Sequence, residues 1–469
     1  MEAFRPRHHD LANPFDLAAF KAELLGEVIL PGQSDYDRAR QIHDLTYDRH
    51  PTMIVRAAGQ GDVARTVAFA AETGMQLAVR AGGHSVAGYS TVDGGIVLDL
   101  SQMKGLHIDV ERRIAWAQPG LTAMEYTQAA AVHGLATPFG DTGSVGIAGL
   151  TLGGGIGWLA RKYGLAIDAL QAVEIVTADG RLITASEDEH PDLFWAVRGG
   201  GGNFGVVTRF QYALYPVGEV LGGALFLPPT KEVLRSLVPI AASAPEELTT
   251  ISFLMRIPPA PFVAPEQVGQ LALIVMFVYA GDPADGQAAI APFREVAKPI
   301  LEVAMPMPYP GIYQFTAAAE APGYGVIRSR FLDTIDDDAI DAMLDAMAAA
   351  PSPMAMVQLR VLGGAVSRVP ADATAFAHRA APVMVAILDH YMDPSTEAVQ
   401  VAWTEGLHEQ LAAHSVGAYS NFLAVEGDER IHEAYPGAAY PRLADIKRRY
   451  DPSNLFSLNQ NIRPAVSPS

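Results

Sequence analysis

Cysteine is absent from the 469 residues. Disulfide bonds, thiolate nucleophiles and cysteine-ligated metal centres are excluded together. No stretch reaches the roughly twenty consecutive apolar residues that a membrane-spanning helix needs. The opening Met-Glu-Ala-Phe-Arg-Pro-Arg-His-His-Asp has no apolar segment of the kind a secretory leader carries, so a cytoplasmic protein is expected. Basic residues are outnumbered, 33 Lys and Arg against 52 Asp and Glu, for a net charge of −19. That balance excludes nucleic acid as a partner, because neutralising phosphates takes clustered Lys and Arg. No internal repeat is present. The length exceeds one ordinary hydrophobic core and predicts two domains.

Glycine is abundant in two places. The first is Arg80-Ala-Gly-Gly-His-Ser-Val-Ala-Gly-Tyr89, and the second spans residues 140–157, where eight of eighteen residues are glycine. Each glycine costs backbone entropy on folding, so such density calls for backbone lying against a ligand, with N–H groups aimed at phosphate or a planar ring. A third cluster, residues 199–205, precedes the strand-like Val206-Val-Thr-Arg-Phe210.

The chain around these runs reads as alternating strands and helices. Met53-Ile-Val55 and Leu77-Ala-Val79 flank a helix whose apolar positions Val63, Val67 and Ala70 run to Gly74. This β-α-β unit delivers the first glycine run to the place where α/β proteins bind ligands. Residues 96–100 and 113–116 are further strands, 122–133 a helix, and 173–176 with 181–184 a hairpin. Pro216 marks a boundary. Residues 217–415 then read as an α+β domain with an antiparallel sheet flanked by helices, including a strand at 269–278 and a helix at 336–349. Pro306, Pro308 and Pro310 form a local patch. A helix at 442–450 precedes a polar close.

Three chemistries can be weighed by spacing. His408 and His414 are six positions apart and do not share a helix face, so a zinc site is not expected. Gly83-His-Ser85-Val-Ala87 approaches a nucleophile elbow, which leaves a serine hydrolase on Ser85 as an alternative. Ala87 breaks the motif, and no helix former follows. A Rossmann fingerprint with its acidic partner is missing. Three separate glycine clusters suit a ligand wrapped by several loops, such as a pyrophosphate joined to a tricyclic ring.

Arg80-Ala-Gly-Gly-His-Ser85, the 140–157 run with Arg161-Lys-Tyr-Gly164 behind it, residues 199–205, and the closing Tyr450-Asp-Pro-Ser-Asn-Leu-Phe456 with Asn459-Gln-Asn461 together resemble the berberine bridge enzyme-like flavoprotein oxidases. These belong to the vanillyl-alcohol oxidase/p-cresol methylhydroxylase (PCMH) superfamily. The resemblance implies an α+β fold, with a two-part PCMH-type FAD-binding domain over residues 1–216 (core about 47–216), a substrate domain over 217–415, and a C-terminal segment, 416–469, that returns to the FAD domain. It implies FAD bonded to His84. A second bond, made by a cysteine in many relatives, would fall at Thr142, so attachment through His84 only is expected. By the same resemblance the backbone of Gly82, Gly83, Ser85 and Tyr89 cradles the pyrophosphate, and Arg80 is a further cofactor-binding residue. Gly143, Ser144, Gly146 and Gly149 lie along the ribityl chain and ring, with Thr142, Val145 and Gly154 as further cofactor-binding residues, Val206 or Val207 meets the adenine, and Asn459 and Asn461 close over the flavin. Tyr419, in Tyr-Ser-Asn421, matches the family's catalytic base, with Tyr435 and Tyr440 as further candidates for the substrate wall. Val145 matches the residue that admits oxygen in oxidases. The implied activity is hydride removal from an alcohol or amine carbon of a sugar or secondary metabolite, with O2 reoxidising the flavin to give H2O2. A dehydrogenase with another acceptor is the alternative. A small-molecule substrate is the implied partner, and a monomer and a homo-oligomer both stay open. The 363–368 segment, Gly-Gly-Ala-Val-Ser-Arg, resembles a strand of the relatives' substrate domain.

Overall fold

The computed structural model describes residues 17–317 and 321–466. Three sheets organise the chain. The first orders Glu27–Ile29, Met53–Arg56, Ile96–Asp99 and Leu77–Arg80, with the last three strands parallel and the first antiparallel at the edge. Their residues are almost wholly buried, as parallel strands covered on both faces must be. The helix Gln60–Thr73 crosses between two of them and ends where Gly74 adopts φ +66°. The second sheet is antiparallel, in the order Leu106–Asp109, Ile114–Ala117, Val206–Ala213, Leu170–Val176 and Leu182–Ser186. The helix Ala123–Ala131 packs beside it behind a complete capping box from Thr122 and Glu125.

The third sheet has eight strands, in the order Leu301–Pro308, Glu219–Leu227, Leu271–Tyr279, Leu248–Arg256, Met356–Val361, Val383–Tyr391, Tyr324–Leu332 and Ser415–Gly417, each antiparallel to its neighbours. Alternation sorts its side chains. Leu225, Val275, Leu254, Leu359 and Val385 join the core formed with the helices Lys231–Ser243, Pro283–Val296, Asp337–Ala348 and Glu397–Gln410. Phe226, Ile274, Phe253 and Ile251 instead join the core of the glycine-bearing part. Helices therefore cover one face of this sheet, and the rest of the chain covers the other.

Two readings change. Of the proline patch, Pro306 and Pro308 lie in Leu301–Pro308, an edge strand, where a missing N–H costs no ladder bond, and Pro310 lies in the 3-10 turn Tyr309–Phe315 that follows. Residues 363–368 are not a strand. The strand ends at Val361, Gly363 and Gly364 take φ +96° and +56°, and the short helix Ala365–Arg368 follows. A Cβ on Gly364 would sit 2.3 Å from the Arg161 carbonyl, so the turn is pinned against the short helix Ala160–Tyr163.

Buried polar ties join the parts. Arg379 holds Asp168 through two bonds of 2.7 and 2.8 Å. Arg161 donates to the carbonyls of Leu362 and Ala244. Lys447, fully buried, reaches Asp451 and the carbonyls of Asn203 and Phe456. Asn203 in turn binds the backbone of Gln460 and Ile462. The last fifty residues are thus sewn to the third glycine cluster.

Candidate active site

A cavity of about 1050 Å³ opens between the glycine runs and the inner face of the eight-stranded sheet. Both runs line it, and they touch there. A Cβ on Gly82 would meet the Gly146 nitrogen at 2.4 Å, and one on Gly146 would meet the Gly82 nitrogen at 2.6 Å. These two glycines are required by each other. Gly149, on the helix Ile147–Leu152, faces open space.

The 80–89 loop offers unpaired donors. Gly83 takes φ +74°, and the N–H groups of Gly83, His84 and Ser85 have no hydrogen-bond partner among the described residues. Successive free N–H groups around a left-handed residue make an anion nest. The His84 ring stacks on His43 at 4.1 Å between centroids. Burial, with the neighbouring His43 adding to it, pushes the His84 imidazole down to about 4, while the Ser144 backbone pulls the other way. His84 is therefore neutral at physiological pH. Unpartnered buried oxygens are found on Ser144, Asn459 and Asn461. Buried polar atoms are rarely left unpaired in a folded chain, so this set fits a polar ligand such as FAD along the cleft.

Across the cavity, Tyr419 is 3 % exposed, and its hydroxyl oxygen accepts from the Gly155 N–H and the Asn421 amide, both at 3.0 Å. Burial pushes this phenol above its ordinary value. The Gly155 N–H, Asn421, the Arg360 charge and the Ile156 N–H act against that shift. The donors expected around a phenolate base are present, yet burial outweighs them. Arg360 is itself committed, donating to Gln358 at 2.8 Å, to the Ile156 carbonyl at 3.1 Å and to Asp141 at 2.9 Å.

Of the residues singled out in the sequence, Gly82, Gly83, His84, Ser85, Tyr89, Thr142, Val145, Gly146, Gly149, Val206, Val207, Tyr419, Tyr435 and Asn459 line the cavity. Arg80 does not: its guanidinium turns into the first sheet, 2.9 Å from Asp99. Gly143 and Ser144 sit just behind the wall, and Gly143 accepts from the Met124 N–H. Gly154 packs against Phe376 and Tyr419. Asn461 lies beyond Gln460, and Tyr440 is turned away against His432. A serine hydrolase is ruled out by geometry. The Ser85 hydroxyl accepts from the Tyr89 N–H at 3.2 Å, and no helix follows it. His43, Asp141, Gln358, Arg360 and His390 also line the cavity, unforeseen. The signal for two of them was there: Gln358 and Arg360 are polar residues two apart in an otherwise apolar strand.

A sheet pair carrying glycine loops, set against a large antiparallel sheet with a neutral histidine and a buried tyrosine at their junction, defines a flavin-binding oxidoreductase architecture. Residues 51–186 match the family model of an FAD binding domain, and residues 418–463 match that of berberine and berberine-like proteins. An uncharacterized FAD-linked oxidoreductase, YgaK of Bacillus subtilis (strain 168), is 31% identical over 466 residues, covering 95% of this chain and 98% of the relative. The (R)-6-hydroxynicotine oxidase of Paenarthrobacter nicotinovorans is 32% identical over 462 residues, 94% and 97% of the two chains. In three dimensions, 6-hydroxy-D-nicotine oxidase from Arthrobacter nicotinovorans superposes with a TM-score of 0.84 at 30% identity, over 97% of this chain and 100% of that one. The chain belongs to the berberine-like family of FAD-linked oxidoreductases. Among the described residues, no helix is long and apolar enough to cross a membrane.

Proposed function

We propose that this FAD-linked oxidoreductase is an oxidase that takes a hydride from an alcohol or amine carbon of a small secondary metabolite or sugar, with O2 as the final acceptor and H2O2 as product. The observation that carries the reading is one cavity wall bearing His84 and free N–H groups, faced by the Tyr419 hydroxyl held by two N–H donors. FAD, when bound, supplies the hydride acceptor. His84 is the residue that would tether it, through a ring nitrogen that burial keeps unprotonated and hence nucleophilic. With no cysteine in the chain, that tether is single. The 83–85 N–H groups would hold the pyrophosphate, and Asn459 and Asn461 would close over the ring system. Tyr419 takes the proton from the substrate hydroxyl or amine as hydride departs. Its two donors and the Arg360 charge stabilise the phenolate form of Tyr419 that accepts this proton, against the burial that favours the phenol. The relative named as an (R)-6-hydroxynicotine oxidase supports an oxidase, and Val145 beside Thr142 leaves a small side chain at the wall for O2. Division of labour follows the sheets, with cofactor held by residues up to 216 and after 416, and substrate by 217–415.

Acid precipitation of the purified protein tests the tether. Yellow colour should stay in the pellet and pass to the supernatant in His84→Ala; free flavin from the wild type would refute it. Oxygen uptake with a turning-over substrate tests the oxidase, and a reduced enzyme that stays reduced in air would make it a dehydrogenase.

A further inference from the structure

The register of the eight-stranded sheet fixes what a substrate would lie on. One row across its inner face reads Phe226, Ile274, Phe253, Gln358, and the next reads Met255, Met356, Leu388 and Ile327. All eight line the cavity. The floor is therefore apolar and rich in Phe and Met, broken by Gln358 and, one row further on, Arg360. Arg360 takes the Gln358 side-chain oxygen at 2.8 Å, which leaves the Gln358 –NH2 as the donor this floor offers. The rim has the same character. Phe262, Val268 and Met354 line the mouth and are 49%, 40% and 42% exposed. Large apolar side chains left in water around one opening mark the path of an apolar ligand.

Charge narrows the class further. The charged side chains lining the cavity are Asp141, Arg256 and Arg360; Asp141 is ion-paired to Arg360, and Arg256, away from the Gln358 row, donates to the Gly269 carbonyl at an exposed position. His43 and His390 are held below their ordinary value by burial and bring no charge at neutral pH. A protonated amine would find no free carboxylate. An oligosaccharide would strand hydroxyls on Phe, Ile and Met, at a cost of about fivefold to a hundredfold in affinity for each buried unpaired group.

We propose, building on the flavin oxidoreductase reading above, that the substrate is a neutral, ring-bearing apolar alcohol whose oxygen takes a hydrogen bond from Gln358, and that protonated amines and oligosaccharides are poor ligands. The apolar floor and rim bury the rings. Gln358, fixed in orientation by Arg360, selects oxygen over an ammonium group because it can only donate at that point.

Titration of the yellow protein without oxygen, read by the change in flavin absorbance, tests this with three probes: 1-tetralol, its matched amine 1-aminotetralin, and cellobiose. Saturable binding of 1-tetralol at a Kd at least tenfold below both others is expected. Gln358→Glu should narrow the alcohol-to-amine ratio about threefold to tenfold by removing the amide donor, its new carboxylate being taken up by Arg360 as Asp141 is. Gln358→Leu should weaken the alcohol about threefold to tenfold without gaining the amine. Equal or tighter binding of the amine or cellobiose by the wild type would overturn the proposal, as would failure of a yellow protein to bind 1-tetralol. The wild-type ranking needs no variant and stands if a substitution disturbs folding. A colourless protein would refute the flavin reading itself, a separate outcome.

Discussion

Replacing Gly82 or Gly146 by alanine separates two reasons for a glycine that composition cannot distinguish. Neither has a positive φ, so alanine suits both conformations and would lower unfolded-state entropy, a gain of about 0.4–1 kcal/mol. Against that, each new Cβ lands 2.4 or 2.6 Å from a backbone nitrogen of the other run. Backbone cannot swing aside as a side chain does, so the upper part of the overpacking range, about 2–3 kcal/mol, applies. The net expectation is a destabilisation of about 1–2.5 kcal/mol for either variant. Gly149→Ala is the contrast: its Cβ meets nothing, it lies inside a helix, and it should raise stability by about 0.5–1 kcal/mol while narrowing the cavity. The Gly82→Ala/Gly146→Ala pair should cost less than the sum, since one Cβ already parts the two strands of backbone that the other would part. Urea unfolding of flavin-free protein in a His84→Ala background measures all four, and flavin retention measures the cavity. Wild-type stability in Gly82→Ala and Gly146→Ala without flavin would refute the crossing argument and return both glycines to the ligand. So would additive losses in the double variant.

Tyr419→Phe should lower kcat/KM for an alcohol by about 10²–10⁴-fold and abolish any rise of rate at alkaline pH. Asn421→Leu removes one donor to the phenolate and moves the alkaline limb up by about one to two pH units, with the rate recovering at high pH; an equal loss at every pH would mark Asn421 as structural only. Arg379→Met leaves Asp168 buried without its partner and should cost about 3–5 kcal/mol in urea unfolding, whereas exchanging both residues for apolar ones should cost far less. In flavin-free protein, His84 takes up its proton near 6.5 when unfolded and near 4 when folded. The unfolded state then binds more protons between those values, so stability falls as pH falls from 6.5 to 4, by up to about 3 kcal/mol. His84→Ala should flatten that slope, and an unchanged slope would show the imidazole to be solvated.

The parallel strands of the first sheet and the hairpin of the second were legible because local signals carry them: a helix punctuated by Gly74, a Thr-Ala-Asp-Gly turn at 177–180, apolar runs of strand length; the three-residue edge strand Glu27–Ile29 was not. The glycine runs were legible as a site but not in their internal logic. Glycines 82 and 146 stand sixty-four positions apart, and only tertiary structure shows that they are each other's reason. Arg80 is the reverse case. It begins the motif that carries the resemblance, yet strand alternation turns it inward to Asp99, so membership of a motif did not mean contact with the ligand.

The cavity floor proposed to select the substrate is the least local feature of all. Whether Gln358 or Leu359 faces the cavity is fixed by pairings with strands around residues 251–255 and 384–388, each reached through a helix or long loop. A shift of one residue in that register would exchange the cavity floor for the helix-packed core. The strand Met356–Val361 is buried on both faces, so its apolar pattern alone does not reveal which side is which. Its two polar residues do. A glutamine and an arginine two apart must share a face, and a buried arginine must find an acceptor. Asp141, in the second glycine run, is that acceptor, so the ion pair also locks the eight-stranded sheet onto that glycine run.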